Sequence, residues 1–173
     1  MAEPQILTFG PDGGIPNSRL PLLFWRGRLM ASEADGAAVC ALYRRNGWAG
    51  TWVYTVFPFW HFHTKGHEVL SCVAGSATIG LGGEAGAKVE VARGDVVVIP
   101  AGVGHRRLAA SSDFLMAGGY PPGQSGDIVR PGDVPLAEAE RAVEAVELPQ
   151  TDPIDGGTRG LPDIWRSEPA APG

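Results

Sequence analysis

All four histidines of this chain fall between residues 61 and 105, and three of them form a spaced set with one glutamate: His61, His63, Glu68 and His105. Side chains on an extended strand alternate faces, so His61 and His63 project to the same side with their imidazoles close enough to share one ion. Thr64, Lys65 and Gly66 read as a turn that folds the chain back and brings the Glu68 carboxylate beside the two rings. His105 has to arrive from elsewhere in the fold. It sits in Gly-Val-Gly-His, after the strand-like run Asp95 to Ile99 and the breaker Pro100, where a tight corner swings it inward.

The surrounding pattern is that of many short strands. From Trp52 to Tyr120, runs of β-formers alternate with turn residues: 52–57, 59–63, 68–73, 76–81, 87–92, 95–99, 105–108 and 114–117. This spacing predicts an antiparallel sandwich or barrel, with Gly82-Gly83 and Arg93-Gly94-Asp95 as hairpin turns. Ser32 to Asn46 reads as a helix, with Ser32 as N-cap, Glu33 and Asp35 in the first turn, Arg44 and Arg45 in the last, and Asn46-Gly47 as the stop. Residues 1–30 mix Pro and Gly with apolar pieces such as Leu20 to Trp25, which suggests an arm laid over the barrel or onto a partner subunit. A long loop, Pro121 to Gly132, precedes a second helix around Val134 to Val146 capped by Asp133. Residues 147–173, rich in Pro, Gly and Asp, read as an extended tail.

Two motifs here resemble those of the cupins. His61-Phe62-His63, four residues, Glu68, six residues and Gly75 match the first; Gly94, five residues, Pro100-Ala101-Gly102, two residues and His105 match the second. The flanks Asn46-Gly47-Trp48 and Leu148 to Pro153 look like those of small uncharacterised bacterial single-domain (RmlC-like) cupins. Thr55 and Ala109 depart from the family pattern, standing where Gly and Asn are usual. The resemblance implies an all-β jelly-roll cupin barrel over about residues 50–120, with one helix before it and one after. Residues 1–49 would be an arm and helix, and residues 121–173 a loop, helix and tail of the same structural domain. It also implies a homodimer.

Three imidazoles and a carboxylate suit one divalent ion, Mn, Fe, Ni, Zn or Cu, and four ligands leave coordination positions open for water or substrate. Arg107 shares parity with His105, which aims it into the barrel to clamp a substrate carboxylate or phosphate, or outward to solvent or Asp113. Tyr54, Phe57, Phe59 and Met116 are candidate pocket walls, Tyr54 also a substrate or catalytic contact, while Trp60 and Phe62 belong to the opposite face. His67 faces away from Glu68 on a regular strand, as a surface or supporting histidine; if the turn at Lys65-Gly66 continues through it, it enters the pocket as a proton shuttle. Lys65 reads as a solvated turn residue.

Several classes are disfavoured. A net charge of −5 and a pI near 5.3 argue against a general nucleic-acid binder. No apolar run approaches the roughly 20 residues that span a bilayer, and the start Met-Ala-Glu-Pro-Gln lacks a secretory pattern, so the expected location is the cytoplasm. Cys40 and Cys72 form no C-x-x-C and are expected to be reduced and buried. Gly-x-Ser-x-Gly and Walker signatures are missing from the sequence. The reading is a metal-binding cupin acting on a small polar organic molecule, as an oxygenase or an isomerase or lyase, or else a non-catalytic barrel that binds or senses one.

Overall fold

Short β-branched runs bounded by glycine turns produce the strands of this computed structural model, which describes residues 3–168. The strands are β1 (Gln5–Phe9), β2 (Ser18–Trp25), β3 (Ala49–Tyr54), β4 (Glu68–Ala74), β5 (Ser76–Leu81), β6 (Ala87–Ala92), β7 (Val96–Ile99), β8 (His105–Ala110) and β9 (Leu115–Tyr120). The helices are α1 (Gly36–Arg45), α2 (Leu136–Glu144) and α3 (Leu161–Ser167). One sheet runs β1-β2-β7-β4-β9-β3 and the other β6-β5-β8, with every pairing antiparallel. This is the two-sheet, all-β architecture of a jelly-roll cupin.

Burial explains which sequence patterns each sheet carries. β6 alternates, with Val89 and Val91 inward and Lys88 and Glu90 outward, because its outer face meets water. β4 and β7 are buried on both faces; β7 reads as an unbroken apolar run, and β4 is apolar apart from Glu68 at its start and Ser71 in its middle. One face of the larger sheet, including Leu22, Phe24, Leu70, Val97 and Met116, packs against Ile79, Leu81, Val89 and Val91 of the smaller. Its other face, including Leu23, Trp25, Val69 and Val98, is covered by Val39 and Tyr43 of α1 and Leu161 and Trp165 of α3. Both cysteines are free and buried.

Several elements differ from the sequence expectation. Residues 5–25, expected as an arm, supply two strands, and β2 pairs with β7 through Leu23↔Val98 and Phe24↔Val97. The connection between β1 and β2 also reaches the smaller sheet: Asn17 donates to the carbonyls of Gly10 (2.6 Å) and Gly82 (2.9 Å) and accepts the Gly104 amide (3.1 Å). The cap of α1 is Asp35, which accepts from the Ala38 amide at 3.0 Å, and not Ser32, since residues 30–34 close a separate turn onto the Met30 carbonyl. α2 starts after Pro135 with no side-chain cap, because Asp133 instead accepts the Arg130 amide and closes the turn before it.

The tail expected to be extended contains α3, so two helices follow the barrel. Pro162 sits in the first turn of α3, where its missing N–H has no helical partner to lose. Trp165, 1% exposed, anchors this helix by donating its indole N–H to the Pro21 carbonyl at 2.8 Å. Asp152 ties the same segment down. Fully buried, it takes Arg28 at 2.8 Å and the amides of Ile154, Asp155 and Leu161. Removing one partner of a buried ion pair leaves a charge in low dielectric, so Asp152→Ala is expected to cost roughly 3–5 kcal/mol in urea unfolding. Asp155→Ala, whose side chain is 38% exposed, is expected to cost about 1 kcal/mol or less.

Candidate metal centre

The segment Phe57–His63 lies beside β8 and the loop that precedes it. His61 and His105 exchange both backbone bonds, 3.3 Å and 3.0 Å, and the Gly102 amide donates to the His63 carbonyl at 2.8 Å. Residues paired directly across an antiparallel ladder present their side chains to the same face, so one bridge brings the two motif halves together. Farther along, the Arg107 amide donates to the Phe57 carbonyl at 2.9 Å. Four positions separate residues 57 and 61 but only two separate 105 and 107, so the chain around Pro58 loops out of the ladder. That bulge, with a proline that has no N–H to give, is why the run 59–63 forms isolated bridges instead of the expected strand.

The parity of the histidines survives the bulge. Ring centroids of His61 and His105 are 4.1 Å apart, those of His63 and His105 5.1 Å, and those of His61 and His63 5.7 Å. Ligand atoms of the three lie within 4.8 Å of one another, and all three residues are buried. Each Nδ1 faces a backbone carbonyl: His61 that of Phe59 (3.0 Å), His105 that of Val103 (3.0 Å), and His63 that of Asp127. A carbonyl only accepts, so each Nδ1 carries a proton and the lone pairs of neutral rings sit on Nε2, in the cluster. Glu68 stands against this trio, with Oε2 at 3.0 Å from Nε2 of His63 and 3.4 Å from that of His105.

The charges follow from this packing. Burial, with His105 beside it, pushes His61 down to about 3, so its ring is neutral near pH 7. Burial would also lower His63, but the Glu68 charge and hydrogen bond outweigh it and raise the pKa. Burial alone would raise Glu68; His63 and His105 overcome it and hold the carboxyl well below the usual carboxylate range. A donor set of this kind, three imidazoles preoriented by carbonyls beside one ionised carboxylate, fits a divalent metal ion.

The other sequence candidates are scattered. Tyr54, 59% exposed, lies at the mouth of a cavity of about 330 Å³ whose lining includes His61, His63, Glu68 and His105. Arg107 stands behind that wall and donates to the Thr55 hydroxyl at 2.9 Å, so the Thr55 departure from the family pattern gives Arg107 a partner. Ala109, the other departure, is exposed and away from the cavity. Phe57 lines the cavity and Phe59 stacks on it at 5.1 Å, whereas Met116 belongs to the core between the sheets. Phe62 packs with Ile15 and Ala139 on the opposite side, with Trp60 against the same cluster.

His67, a candidate proton shuttle, is not in the cavity lining. It packs on Trp165 at 4.8 Å and accepts the Ala101 amide at 2.9 Å, because the bend ends before it and strand parity turns it away from Glu68. Burial pushes it down to about 4. Lys65 is exposed and outside the cavity.

Sequence reasoning missed two residues that hold the site. Asp127 accepts the amides of Thr64 (2.8 Å) and Lys65 (3.0 Å) and the Thr64 hydroxyl (2.6 Å), while its carbonyl meets His63. Tyr120 lines the cavity and donates to Oε1 of Glu68 at 3.1 Å. Neither carries a local signal, since both act across more than 50 residues. Trp52, Val56, Leu70 and Ile128 complete a mostly apolar wall.

Fold, paired motifs and histidine cluster together make this chain a cupin with a buried three-histidine cluster that could hold a metal ion. It is 38% identical over 164 residues, 94% of this chain and 97% of the relative, to the uncharacterized protein YjlB of Bacillus subtilis (strain 168). The chain belongs to the YjlB family. No family model matches it. Among solved structures, acireductone dioxygenase from Bacillus anthracis, with cadmium in its active centre, is similar over 60% of this chain and 80% of its own at 17% identity and a TM-score of 0.42. A DUF861 family protein from Thermotoga maritima is similar over 56% of this chain and 96% of its own at 16% identity and a TM-score of 0.37.

The raised pKa of His63 has a consequence for metal uptake. Below that pKa the ring holds a proton on Nε2, the atom a metal needs, whereas His61 is neutral at any pH well above about 3. Uptake at pH 6, below the ordinary imidazole value that His63 exceeds, is therefore expected to release a proton, and affinity to weaken about tenfold for each unit the pH falls further. Calorimetric titration with Zn(II) in buffers of different ionisation heat measures this; no proton release would contradict it.

Proposed function

We propose that this cupin holds one divalent metal ion through His61, His63, His105 and Glu68 and acts on a small organic molecule that enters the cavity beside them. The observation that carries the reading is the set of three imidazoles whose Nδ1 atoms are pinned by carbonyls while their Nε2 atoms converge next to a carboxylate. Bound there, Fe, Mn, Ni, Zn or Cu would supply Lewis acidity or, for the redox metals, oxygen chemistry. The chain's own residues do the rest. Trp52, Val56, Phe57, Leu70 and Ile128 exclude water and favour a substrate with an apolar body. Its polar end faces the donor set. Tyr54 meets it at the mouth, and Arg107, behind the wall, acts on an anionic group through the Thr55 hydroxyl that it holds. The reaction class this favours is oxygenase or isomerase/lyase chemistry.

A second reading is supported by one observation. Beyond the four donors, the cavity-lining side chains able to exchange a proton at carbon are the phenols of Tyr54 and Tyr120. A barrel so poor in acid and base groups also suits a binding or sensing role without turnover. In both readings the chain works in the cytoplasm and as a homodimer. The edge strand β3, which carries exposed Val53 and Tyr54, is the surface that suits a partner copy. No helix among the described residues is long and apolar enough to cross a membrane.

Elemental analysis of tag-free protein, beside His61→Ala and Glu68→Ala, tests the shared premise. The wild type is expected to hold about one metal per chain, His61→Ala to lose it while remaining folded, and Glu68→Ala to bind more weakly. Oxygen uptake and product screening with small organic acids then separate turnover from binding. A metal-free wild type that cannot be reconstituted would sink the proposal.

A further inference from the structure

Three side chains in the cavity form a hydrogen-bond chain with only one chemically allowed direction. The Trp52 indole N–H stands 2.9 Å from the Tyr120 hydroxyl, which stands 3.1 Å from Oε1 of Glu68. An indole nitrogen can only donate, so the Tyr120 oxygen is the acceptor there. Its single proton is then free to point only at Glu68, an ionised acceptor. Oε1 is thereby occupied, and Oε2 is the oxygen left facing His63 and His105 at 3.0 Å and 3.4 Å.

The backbone around this chain is cut to fit it. A Cβ on Gly126 would lie 2.4 Å from the Tyr120 hydroxyl oxygen, and one on Gly118 would lie 2.2 Å from the Trp52 ring. On Gly50 it would come to 3.0 Å from the Tyr120 ring. Three glycines from β3, β9 and the following loop thus leave room for one aromatic pair in one orientation.

We infer that Tyr120, steered by Trp52, is a positioning residue that fixes Glu68 as a one-oxygen donor to the metal. The inference rests on the metal reading above and deepens it. With one carboxylate oxygen held by the phenol, the donor set supplies three nitrogens and a single oxygen, which keeps coordination positions open toward the cavity. Without that hold, Glu68 is free to turn and present both oxygens, closing a position that a substrate would need.

Co(II) is the probe, because its visible absorption changes in intensity and position with coordination number, independently of any activity. Wild type, Tyr120→Phe, Gly126→Ala and Trp52→Phe are loaded with Co(II), and affinity is measured by competition with a chelator. Tyr120→Phe keeps the ring and loses the hydroxyl; Gly126→Ala keeps both partners and displaces the hydroxyl. Both are expected to shift the Co(II) spectrum toward higher coordination and to change affinity by about ten- to hundredfold, with Trp52→Phe between them and wild type. Tyr43→Phe removes a buried hydroxyl 2.6 Å from Ser71 on the far face of the sheet and reports general loosening; it is expected to match wild type. Wild-type spectra and affinities in both Tyr120→Phe and Gly126→Ala would overturn the inference while leaving the metal reading intact. A Tyr43→Phe spectrum shifted as far as that of Tyr120→Phe would overturn it as well. Failure of the wild type to take up Co(II) would instead sink the metal reading, and the inference with it.

Discussion

The backbone bridge between His61 and His105 is the constraint on which the site depends. Two reciprocal hydrogen bonds place these residues directly opposite each other, and that geometry alone sets their rings 4.1 Å apart. His63 follows by strand parity. The rest of the neighbourhood keeps the bridge in register. Gly102, at φ 88, donates to His63 while a Cβ there would sit 2.3 Å from the Asn17 carbonyl, so no other residue type fits that corner. Asn17 in turn holds Gly104, one residue before His105. The first motif is clasped from the other side by Asp127, which fixes both the bend at Thr64-Lys65 and the proton on His63.

Rigidity at the site is bought by the layers behind it. Glu68 begins β4, an interior strand of the six-stranded sheet whose far face lies under α1 and α3. His67, turned to that far face, packs on Trp165 and ties the start of β4 to Ala101 in the ligand loop. The N-terminal hairpin and the C-terminal segment are therefore parts of the scaffold that aims the donors. The Arg28–Asp152 pair joins the loop after β2 to the segment before α3 in the same scaffold.

Local patterns were legible in the sequence, and distant ones were not. The bounds of β5 and β6 and the shared face of His61 and His63 follow from alternation over a few residues, where the backbone period dictates the answer. The run Leu20 to Trp25 reads as a sticky arm because continuous apolarity does not distinguish a covering segment from a strand buried on both faces. α3 escaped because Pro, Gly and Asp around it signal breaks, while the force that forms it is tertiary: burial of Leu161 and Trp165 against β2. Tyr120 and Asp127 escaped for the same reason. A phenol or a carboxylate has no spacing to betray it when its partner is 52 or 63 residues away. Tyr120, a titratable neighbour of the donor set, is thus supplied by topology and not by motif.

X-ray absorption at the edge of the bound metal tests the central claim most directly. Tag-free wild type loaded with one metal should give the multiple-scattering signature of three imidazoles with at least one oxygen at bonding distance. A spectrum with one imidazole or none in the wild type would contradict the account of how the two motifs converge.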